Sequence, residues 1–272
     1  GRLDAPGGKG ANQAAAIAAL GARVDFVAAI GADDSGQSLA SSLASRGVGI
    51  DHVVTLPHES TGSAVILVAQ SGENSIVVHP GANGALRPEH VEGYLARRNP
   101  SVVMAQLEIP LDAVLAACKA TNATIVLNPA PMPEPSALLD EVIARANVLV
   151  PNRTELAALA HQPVPHSLEA VEQCVRSLTF DGQVVVTLGE DGAVVFPRGV
   201  SGEAVSVPAP RVDAVDTSGA GDAFCGALAV GLVSGKDLVE AATYASEFAS
   251  WSVTQPGAQV SGATPASLSS SS

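Results

Sequence analysis

Aromatic residues are scarce in this chain, at 3% of its 272 residues, whereas hydrophobic residues make up 47%. Alanine, valine and leucine must therefore fill the core, and there is enough apolar material to argue against disorder. Small aliphatic side chains are typical of helices packed on a mainly parallel sheet. The length suits one large α/β domain or two small ones.

Cysteine is also rare. The three cysteines, Cys118, Cys174 and Cys225, are far apart and form no CxxC or Cys/His ligand pattern. This spacing argues against a zinc site. We predict that they are buried, reduced thiols of a cytosolic protein.

Basic residues are outnumbered, with 14 Lys and Arg against 27 Asp and Glu, for a formal net charge of −13. Nucleic acid and anionic membrane surfaces repel such a chain, so neither is an expected partner. An anionic ligand would have to be held locally, by helix N-termini, a metal ion or a few basic side chains.

Long apolar runs are absent as well. The sequence has no stretch of about 18 apolar residues and no basic segment followed by an apolar one. Neither a membrane span nor a secretory signal is therefore expected, and we predict a cytoplasmic location. Because the first residue is Gly1 and not Met, we expect a chain that is cut or processed at its start.

What is present is a regular alternation of segments typical of helices and strands. The predicted helices cover residues 10–20, 38–46, 111–121, 138–144, 154–160, 168–178, 220–232 and 238–253. The predicted strands between them cover residues 24–30, 102–107, 123–127, 148–150 and 183–188. This alternation predicts a three-layer, doubly wound, mainly parallel α/β sheet covered on both faces. In such a sheet, ligands bind at the carboxyl ends of the strands.

Residues 61–79 break this alternation, because two strand-like runs are joined by the turn Ser71-Gly72-Glu73-Asn74 with no helix between them. They predict an antiparallel hairpin that forms a small separate sheet. A further hairpin is predicted over residues 192–196 and 205–208. We expect one domain over residues 1–260, with a small β-sheet lid within about residues 60–80, and a low-complexity serine-rich tail over residues 261–272.

A glycine-rich turn opens one of the predicted helices. Residues 213–224 read DAVDTSGAGDAF, so that Gly219 and Gly221 lie where the helix begins. Converging N–H groups and the positive end of the helix form an anion hole there. Asp222 could take the proton of an alcohol while the N–H groups of Gly219, Ala220 and Gly221 hold a phosphoryl group. The same carboxylate would stabilise a helix start without any ligand, and a turn of this kind is by itself a weak indication.

Two other nucleotide-binding loops fit poorly. A Walker A loop, GxxxxGK[ST], would need Ser or Thr where Gly10 follows Lys9, and Gly where Leu3 stands. A dinucleotide-binding GxGxxG motif would need Gly in place of Phe224. Both are therefore rejected.

Ordered motifs extend from Gly7 to about Ser261. The segment DTSGAGDAF resembles the carboxyl-terminal motif DTxGAGD of the ribokinase family of carbohydrate kinases, and GGKGANQA at residues 7–14 is similar to that family's amino-terminal motif. Further matches lie between them in the family's order: GADDSGQ (31–37), STGSAVILV (60–68), GENSIVVHPGAN (72–83), QLEIP (106–110), LNPAP (127–131), PNRTE (151–155) and TLGEDG (187–192). The resemblance implies a ribokinase-like α/β fold.

The resemblance also implies ATP-dependent phosphorylation of a pentose, with D-ribose or a similar sugar as acceptor. It implies Asp222 as the catalytic base and Gly219, Ala220 and Gly221 as the anion hole. It implies sugar contacts for Gly8, Lys9, Gly10, Ala11, Asn12, Glu108 and Asp222. It implies contacts with ATP and its Mg²⁺ for Asn152, Glu155, Thr187, Leu188, Gly189, Glu190, Asp191, Gly192, Gly221 and Ser246. It implies an activating K⁺ at Asp216, Ser218, Ser252, Gln255, Gly257 and Ser261.

Some of these roles suit the side chains alone. Glu108 and Asn12 offer hydrogen-bonding groups for hydroxyls, and Glu155 is a hard oxygen ligand of the kind Mg²⁺ prefers, normally through water. Each role has a purely structural alternative. Lys9 could be a solvated lysine at a helix start, and Asn152 and Glu155 could be an N-cap and a first-turn acid. Glu108 could pair with an arginine.

The chain departs from the family's pattern in several places. The family usually has a longer segment before GGKGAN, with a first sheet strand and an Asn-x-Asp pair that grips the sugar, whereas six residues precede it here. We therefore expect weak or no sugar kinase activity from this exact chain, and an active full-length parent. Ser246 stands at the adenine-side position, Trp251 replaces a smaller apolar residue, and a serine tail replaces the last helix.

Three functions stay open on these grounds. The first is phosphorylation of ribose, and the second is phosphorylation of fructose, deoxyribose or a nucleoside by a member of the same family. The third is non-catalytic binding of sugar or nucleotide by a truncated chain. Because a small sheet with an apolar face is poorly stable alone, we also expect the lid hairpin to pair two copies in a homodimer.

Overall fold

The computed structural model describes residues 5–68 and 74–260, which form an α/β fold with three sheets. The strands are β1 (Asp25–Gly31), β2 (Gly49–Leu56), β3 (Ser63–Val68), β4 (Asn74–His79), β5 (Val102–Ala105), β6 (Thr124–Leu127), β7 (Val148–Leu149), β8 (Gln183–Thr187), β9 (Ala193–Phe196) and β10 (Val205–Val207). The helices are α1 (Lys9–Ala19), α2 (Asp34–Ser45), α3 (Pro88–Leu95), α4 (Leu111–Lys119), α5 (Ala137–Ala144), α6 (Arg153–Ala160), α7 (Leu168–Arg176), α8 (Ala220–Val233) and α9 (Leu238–Ser252).

The largest sheet has six strands in the order β10-β9-β8-β7-β6-β5. Strands β5 to β8 are parallel, and β9 and β10 continue the sheet in antiparallel fashion. Val126 and Leu127 of β6 and Val184 to Val186 of β8 are 0% exposed, as expected for strands covered on both faces. The predicted mainly parallel α/β sheet is thus confirmed.

Helices cover the two faces of this sheet from different parts of the chain. Apolar side chains of α4, α5, α6 and α7 pack on one face, around Leu127 and Leu149. Helices α1, α8 and α9 pack on the other, around Val126 and Val185. Right-handed crossovers explain why the helices that link successive parallel strands share a face.

Helices α1 and α8 are in close contact at Gly226. A Cβ atom added to Gly226 would lie 2.8 Å from the Cβ of Ala16 and 2.9 Å from the carbonyl oxygen of Gln13. A larger residue would therefore push the two helices apart. This contact places the start of α1 beside the start of α8.

The sequence analysis misses two elements and shortens a third. Strand β2 escapes prediction because half-buried and exposed residues interrupt its apolar pattern. Helix α3, which is absent from the predicted helices, begins with Pro88 at its first position, where proline is a common helix-start signal. Helix α2 begins at Asp34, not at Ser38, because Asp33 caps it by accepting a bond from the Gly36 N–H group at 2.8 Å.

The predicted lid hairpin is confirmed by strands β3 and β4, which pair antiparallel in register from Ser63 opposite His79 to Val68 opposite Asn74. Residues 71–73 of the predicted turn lie outside the described residues, as do the serine-rich tail and Ser261. The predicted second hairpin is also confirmed, by β9 and β10.

The base of the lid is fixed to the cap of α2. The Asp33 carboxylate accepts bonds from the N–H group and the hydroxyl of Thr61, which hold its pKa below the ordinary value. The Thr61 hydroxyl oxygen also accepts the Gly31 N–H group at 3.0 Å. The hairpin thus enters and leaves the body of the protein beside a fixed carboxylate.

Thr61→Val is expected to loosen this base, because valine keeps the shape of threonine but removes its hydroxyl. We expect limited proteolysis to cut the hairpin about threefold to tenfold faster, the factor that the loss of one or two hydrogen bonds produces. Thr243→Val is the control, since the Thr243 hydroxyl donates to Val239 O of its own helix and to no other group in the part of the chain that the structure describes. Equal cleavage of both variants would show that Thr61 does not hold the hairpin.

The three cysteines are free and buried, as predicted. Among the described residues, no helix has the length and apolar character that crossing a bilayer requires.

Candidate active site

Polar residues, among them the predicted site residues Asn152 and Thr187, gather at one edge of the main sheet. Gln106 follows β5, Asn128 follows β6, Asn152 lies beyond the end of β7, and Thr187 ends β8. Asn152 and Thr187 form an isolated parallel bridge there. This is the carboxyl edge, where ligands bind in open α/β sheets.

Asp222 lies in the first turn of α8 and is 7% exposed. Its Oδ2 accepts a bond from Asn12 Nδ2 at 2.9 Å, and its Oδ1 accepts one from Gln13 Nε2 at 3.1 Å. Burial raises the pKa of Asp222 above its ordinary value, while these two amides and the charge of Lys9 oppose that rise. The carboxylate lies in a polar cluster where each oxygen accepts one of these two hydrogen bonds. Each oxygen has a further lone pair that can take a proton, as a general base requires.

The turn before α8 has the geometry of an anion hole. Gly219 has a φ of 74°, and a Cβ atom there would lie 2.4 Å from Ala258 O, so only glycine fits. A Cβ on Gly221 would meet no atom within 4 Å. The Ala220 N–H group is engaged by Thr217 O at 3.3 Å, which leaves the N–H groups of Gly221 and Asp222 as the better donors of the first turn.

The start of α1 adjoins Glu108, whose Oε2 accepts the Lys9 N–H group at 2.8 Å. Within the described residues no arginine pairs with Glu108, so the structure gives no support to that alternative. Burial raises the pKa of Glu108 above its ordinary value. Asn12 Oδ1 is buried and has no hydrogen-bond partner among the described residues, so it is an acceptor that a sugar hydroxyl could satisfy.

Glu108→Gln is expected to change how stability depends on pH. Because its pKa is raised by folding, Glu108 contributes stability that is fully present below the unfolded pKa and lost as the pH rises through the folded pKa. The uncharged glutamine avoids that loss, so we expect Tm to exceed that of the wild type by about 2–4 °C at pH 7.5 and to equal it near pH 4.

The matched control is Glu141→Gln, because hydrogen bonding to Lys119 lowers the pKa of Glu141. Its effect should have the opposite sign, with a lower Tm than the wild type at neutral pH. Thermal unfolding of both variants and the wild type from pH 4 to pH 8 tests these expectations. If Tm plotted against pH ran parallel for Glu108→Gln and the wild type, the expectation for Glu108 would be contradicted.

Asn152 and Glu155 form a capping box at the start of α6. Asn152 Oδ1 accepts the Thr154 and Glu155 N–H groups at 2.9 Å, and Glu155 Oε2 accepts the Asn152 N–H group at 2.9 Å. The capping alternative therefore describes these residues, although it does not preclude a second role at the site. Burial raises the pKa of Glu155, and its charge is coupled to those of Lys9 and Asp222.

The predicted nucleotide loop continues from β8 through a short 3-10 turn at Gly189–Asp191. The Leu188 N–H group bonds to Gly192 O at 2.8 Å, and Asp191 pairs with Arg153 at 3.2 Å. Ser246, assigned to the adenine side, is only 2% exposed, and its hydroxyl is directed at Pro208 O. Its side chain is therefore less available to a ligand than its assignment implies.

The predicted cation site joins two loops. Asp216 accepts the Ser218 and Gly257 N–H groups, each at 2.9 Å, and these bonds lower its pKa. The Ser252 hydroxyl bonds to Ala249 O, and Gln255 Nε2 bonds to Thr254 Oγ1. No group of three or more His, Cys, Asp or Glu side chains that could hold a metal occurs among the described residues, so a cation here would depend on backbone carbonyls.

Sequence reasoning misses the amides that surround the catalytic candidate. Gln13, Gln106 and Asn128 each lie in a matched motif, yet none was assigned a role. Gln13 is 1% exposed and Asn128 is 8% exposed. The available signal was a long amide side chain in a segment of alanines, where burial would force it to find polar partners.

A glycine-rich helix start, a buried carboxylate and polar groups at the carboxyl edge of an α/β sheet are the parts that a small-molecule phosphotransferase needs. Comparison with known proteins agrees. The family described as pfkB family carbohydrate kinase matches residues 4–265, and the chain belongs to that family.

Individual proteins of known name are also similar to this chain in sequence and in structure. The chain is 38% identical to a ribokinase of Haemophilus influenzae over 264 residues, which are 94% of this chain and 83% of that protein. It is 38% identical to a deoxyribokinase of Salmonella typhi over 262 residues, 94% of this chain and 83% of that one. The structure of Arabidopsis thaliana ribokinase complexed with ribose and ATP superposes with a TM-score of 0.79 at 33% identity, over 93% of this chain and 82% of that one.

Proposed function

We propose that the protein transfers the γ-phosphoryl group of ATP to D-ribose, giving ribose 5-phosphate and ADP. The observation that carries the proposal is the position of Asp222, whose carboxylate lies in the first turn of α8, next to Gly221, where an added Cβ atom would meet no atom within 4 Å. The ribokinases among the relatives support ribose as the acceptor.

In the proposed reaction, Asp222 takes the proton of the sugar hydroxyl as its oxygen attacks the γ-phosphorus. The bond between that phosphorus and the bridging oxygen of ADP breaks, and ADP keeps the electron pair. The N–H groups of Gly221 and Asp222 stabilise the charge on the phosphoryl oxygens. Asn12 and Glu108 orient the sugar by accepting or donating hydrogen bonds to its hydroxyls.

Two cations complete the proposal. Mg²⁺ would neutralise charge on the ATP phosphates, and Glu155 would hold it through water, since the carboxylate is a hard oxygen ligand with a capped, fixed position. K⁺ would bind between the loops that Asp216 joins, with carbonyls from Ser218, Ser252, Gln255 and Gly257. A cation there would fix the turn at Gly219 that forms the anion hole.

The proposed homodimer would use the outer surface of the lid. Val65 and Val77 are cross-strand neighbours that are 56% and 61% exposed. A second copy would cover these side chains, as an isolated two-stranded sheet needs. Light scattering of the wild type and of a Val65→Lys variant tests this arrangement.

The test of function is ADP release with ribose, 2-deoxyribose, fructose and adenosine as acceptors, in K⁺ and in Na⁺ salts. The assay uses the 272-residue chain and, beside it, the product of the complete reading frame. Ribose should give the highest kcat/KM of the four acceptors. The rate of ADP release should be higher in K⁺ salts than in Na⁺ salts. A preference for 2-deoxyribose would favour the second candidate function, which the identity to the deoxyribokinase supports. Binding of sugar and ATP without turnover in either protein would overturn the proposal.

A further inference from the structure

Three motifs matched in the sequence each contribute one amide side chain to a buried network around Asp222. Gln13 comes from α1, Gln106 follows β5, and Asn128 follows β6. Gln13 Nε2 donates to Asp222 Oδ1 at 3.1 Å and lies 3.4 Å from Asn128 Oδ1. Asn128 Nδ2 in turn donates to Val150 O at 2.9 Å.

The orientation of the Gln13 amide is fixed from its other side. Gln106 Nε2 donates to Gln13 Oε1 in a short bond. Because the oxygen of Gln13 is engaged by this donor, its NH₂ group must face Asp222. A glutamine with the opposite orientation would place its oxygen against the carboxylate.

We propose that Gln13, oriented by Gln106, is a positioning residue that holds the carboxylate of Asp222 in its charged form and in line with the acceptor hydroxyl. This inference rests on the proposed function and deepens it. Gln13 is 1% exposed, so it acts on the sugar only through Asp222. Asn12 holds the other carboxylate oxygen, and each oxygen keeps a free lone pair.

Other charged and titratable groups also act on Asp222. The charge of Lys9 on α1 opposes the rise that burial causes in the pKa of Asp222. Burial raises the pKa values of Glu108 after β5, Glu155 on α6 and the Cys225 thiol on α8, and the negative charge of Asp222 raises them further. Substitution of Gln13 leaves all of them in place, so a difference between variant and wild type isolates the amide.

The experiment compares the wild type with Gln13→Leu and Gln106→Met. Burial raises the pKa of Asp222, and the hydrogen bond from Gln13 opposes that rise. Without this donor, the pKa of Asp222 should be higher. We expect the acid limb of the kcat–pH profile of Gln13→Leu to shift to higher pH by about 0.5–1 unit. At pH values on that limb, kcat should then be about threefold to tenfold lower than in the wild type. Gln106→Met should move it in the same direction by less, because Gln13 then loses only its orienting partner.

A readout without turnover accompanies the kinetics. The carboxyl ¹³C resonance of Asp222, assigned by its loss in Asp222→Asn, reports the pKa directly. An upward shift in both substituted proteins supports the proposal, even if neither they nor the wild type phosphorylates ribose, in which case the proposed function alone fails. An unchanged resonance titration in folded Gln13→Leu overturns the proposal.

The matched control is Gln183→Leu. Gln183 is a half-buried glutamine at the opposite end of the sheet, and its Nε2 donates to Pro197 O at 2.7 Å. It should lose stability comparably without moving either pH titration. If Gln13→Leu does not fold, Gln106→Met decides alone, and an unchanged pKa of Asp222 in that variant overturns the proposal.

Discussion

Asp222→Asn is expected to lower kcat for sugar phosphorylation by about 10²–10⁴-fold, the range that a general base contributes. Asparagine has nearly the same size but cannot take the hydroxyl proton. Removing a buried charge relieves desolvation, whereas the new NH₂ group meets the donors Asn12 and Gln13, so these two effects on stability oppose each other. Steady-state kinetics with ribose and ATP, together with thermal unfolding, measure both results.

The control for this substitution is Asp237→Asn at the start of α9. Asp237 also lies at a helix start, where its Oδ1 accepts the Glu240 N–H group at 2.9 Å. Asparagine is an equally good N-cap, so neither Tm nor kcat should change by much. If Asp222→Asn retained kcat within about threefold of the wild type, where a general base supplies at least about 10²-fold, some other group would be taking the proton.

Gly221→Ala is expected to reduce kcat/KM for ATP by about 10²-fold, because the added methyl group would keep the phosphoryl oxygens away from donors whose loss from an oxyanion hole costs about that much. The added methyl group meets no protein atom within 4 Å, so the fold should accept it. The space that it fills is where the phosphoryl oxygens would lie. Since alanine favours helices over glycine by about 1 kcal/mol, Tm should stay the same or rise.

Gly219→Ala supplies the contrast two residues earlier. Its φ of 74° and the 2.4 Å approach to Ala258 O predict a loss of stability of about 1–3 kcal/mol from backbone strain alone. Urea unfolding and kinetics of both variants separate a blocked ligand site from a distorted turn. Normal ATP kinetics in Gly221→Ala would show that the phosphates bind elsewhere.

Much of the fold is predictable from the sequence because its buried strands are continuous apolar runs between helix-forming segments. Strand β8 is an example, since Val184 to Val186 are fully buried and directly follow one another. Strand β2 is missed because it has partly exposed residues on a small separate sheet, and its pattern resembles that of a loop. Partial burial weakens the periodicity on which strand prediction depends.

The site residues that lie in recognisable motifs can be predicted from the sequence. The contacts that packing forms between distant parts of the chain cannot. The glycine-rich turn indicates Asp222, and the resemblance adds Glu108 and Asn12. Their roles stay predictions, although the structure brings these residues together. Gln13 lies 209 residues from Asp222 in the sequence, and no local pattern indicates that contact. The bond from the Ser246 hydroxyl to Pro208 O is likewise visible only after the chain is folded.

The close contact of α1 and α8 at Gly226 has a consequence for how the enzyme would work. Because α1 and α8 approach so closely, Asn12, which would orient the sugar, and Asp222, which would remove its proton, are held on one packed pair of helices. In the proposed reaction, exclusion of water would be the task of the separate hairpin anchored at Thr61. Loosening the hairpin should therefore increase hydrolysis of ATP by water relative to phosphorylation of the sugar. Proton removal by Asp222 should stay the same.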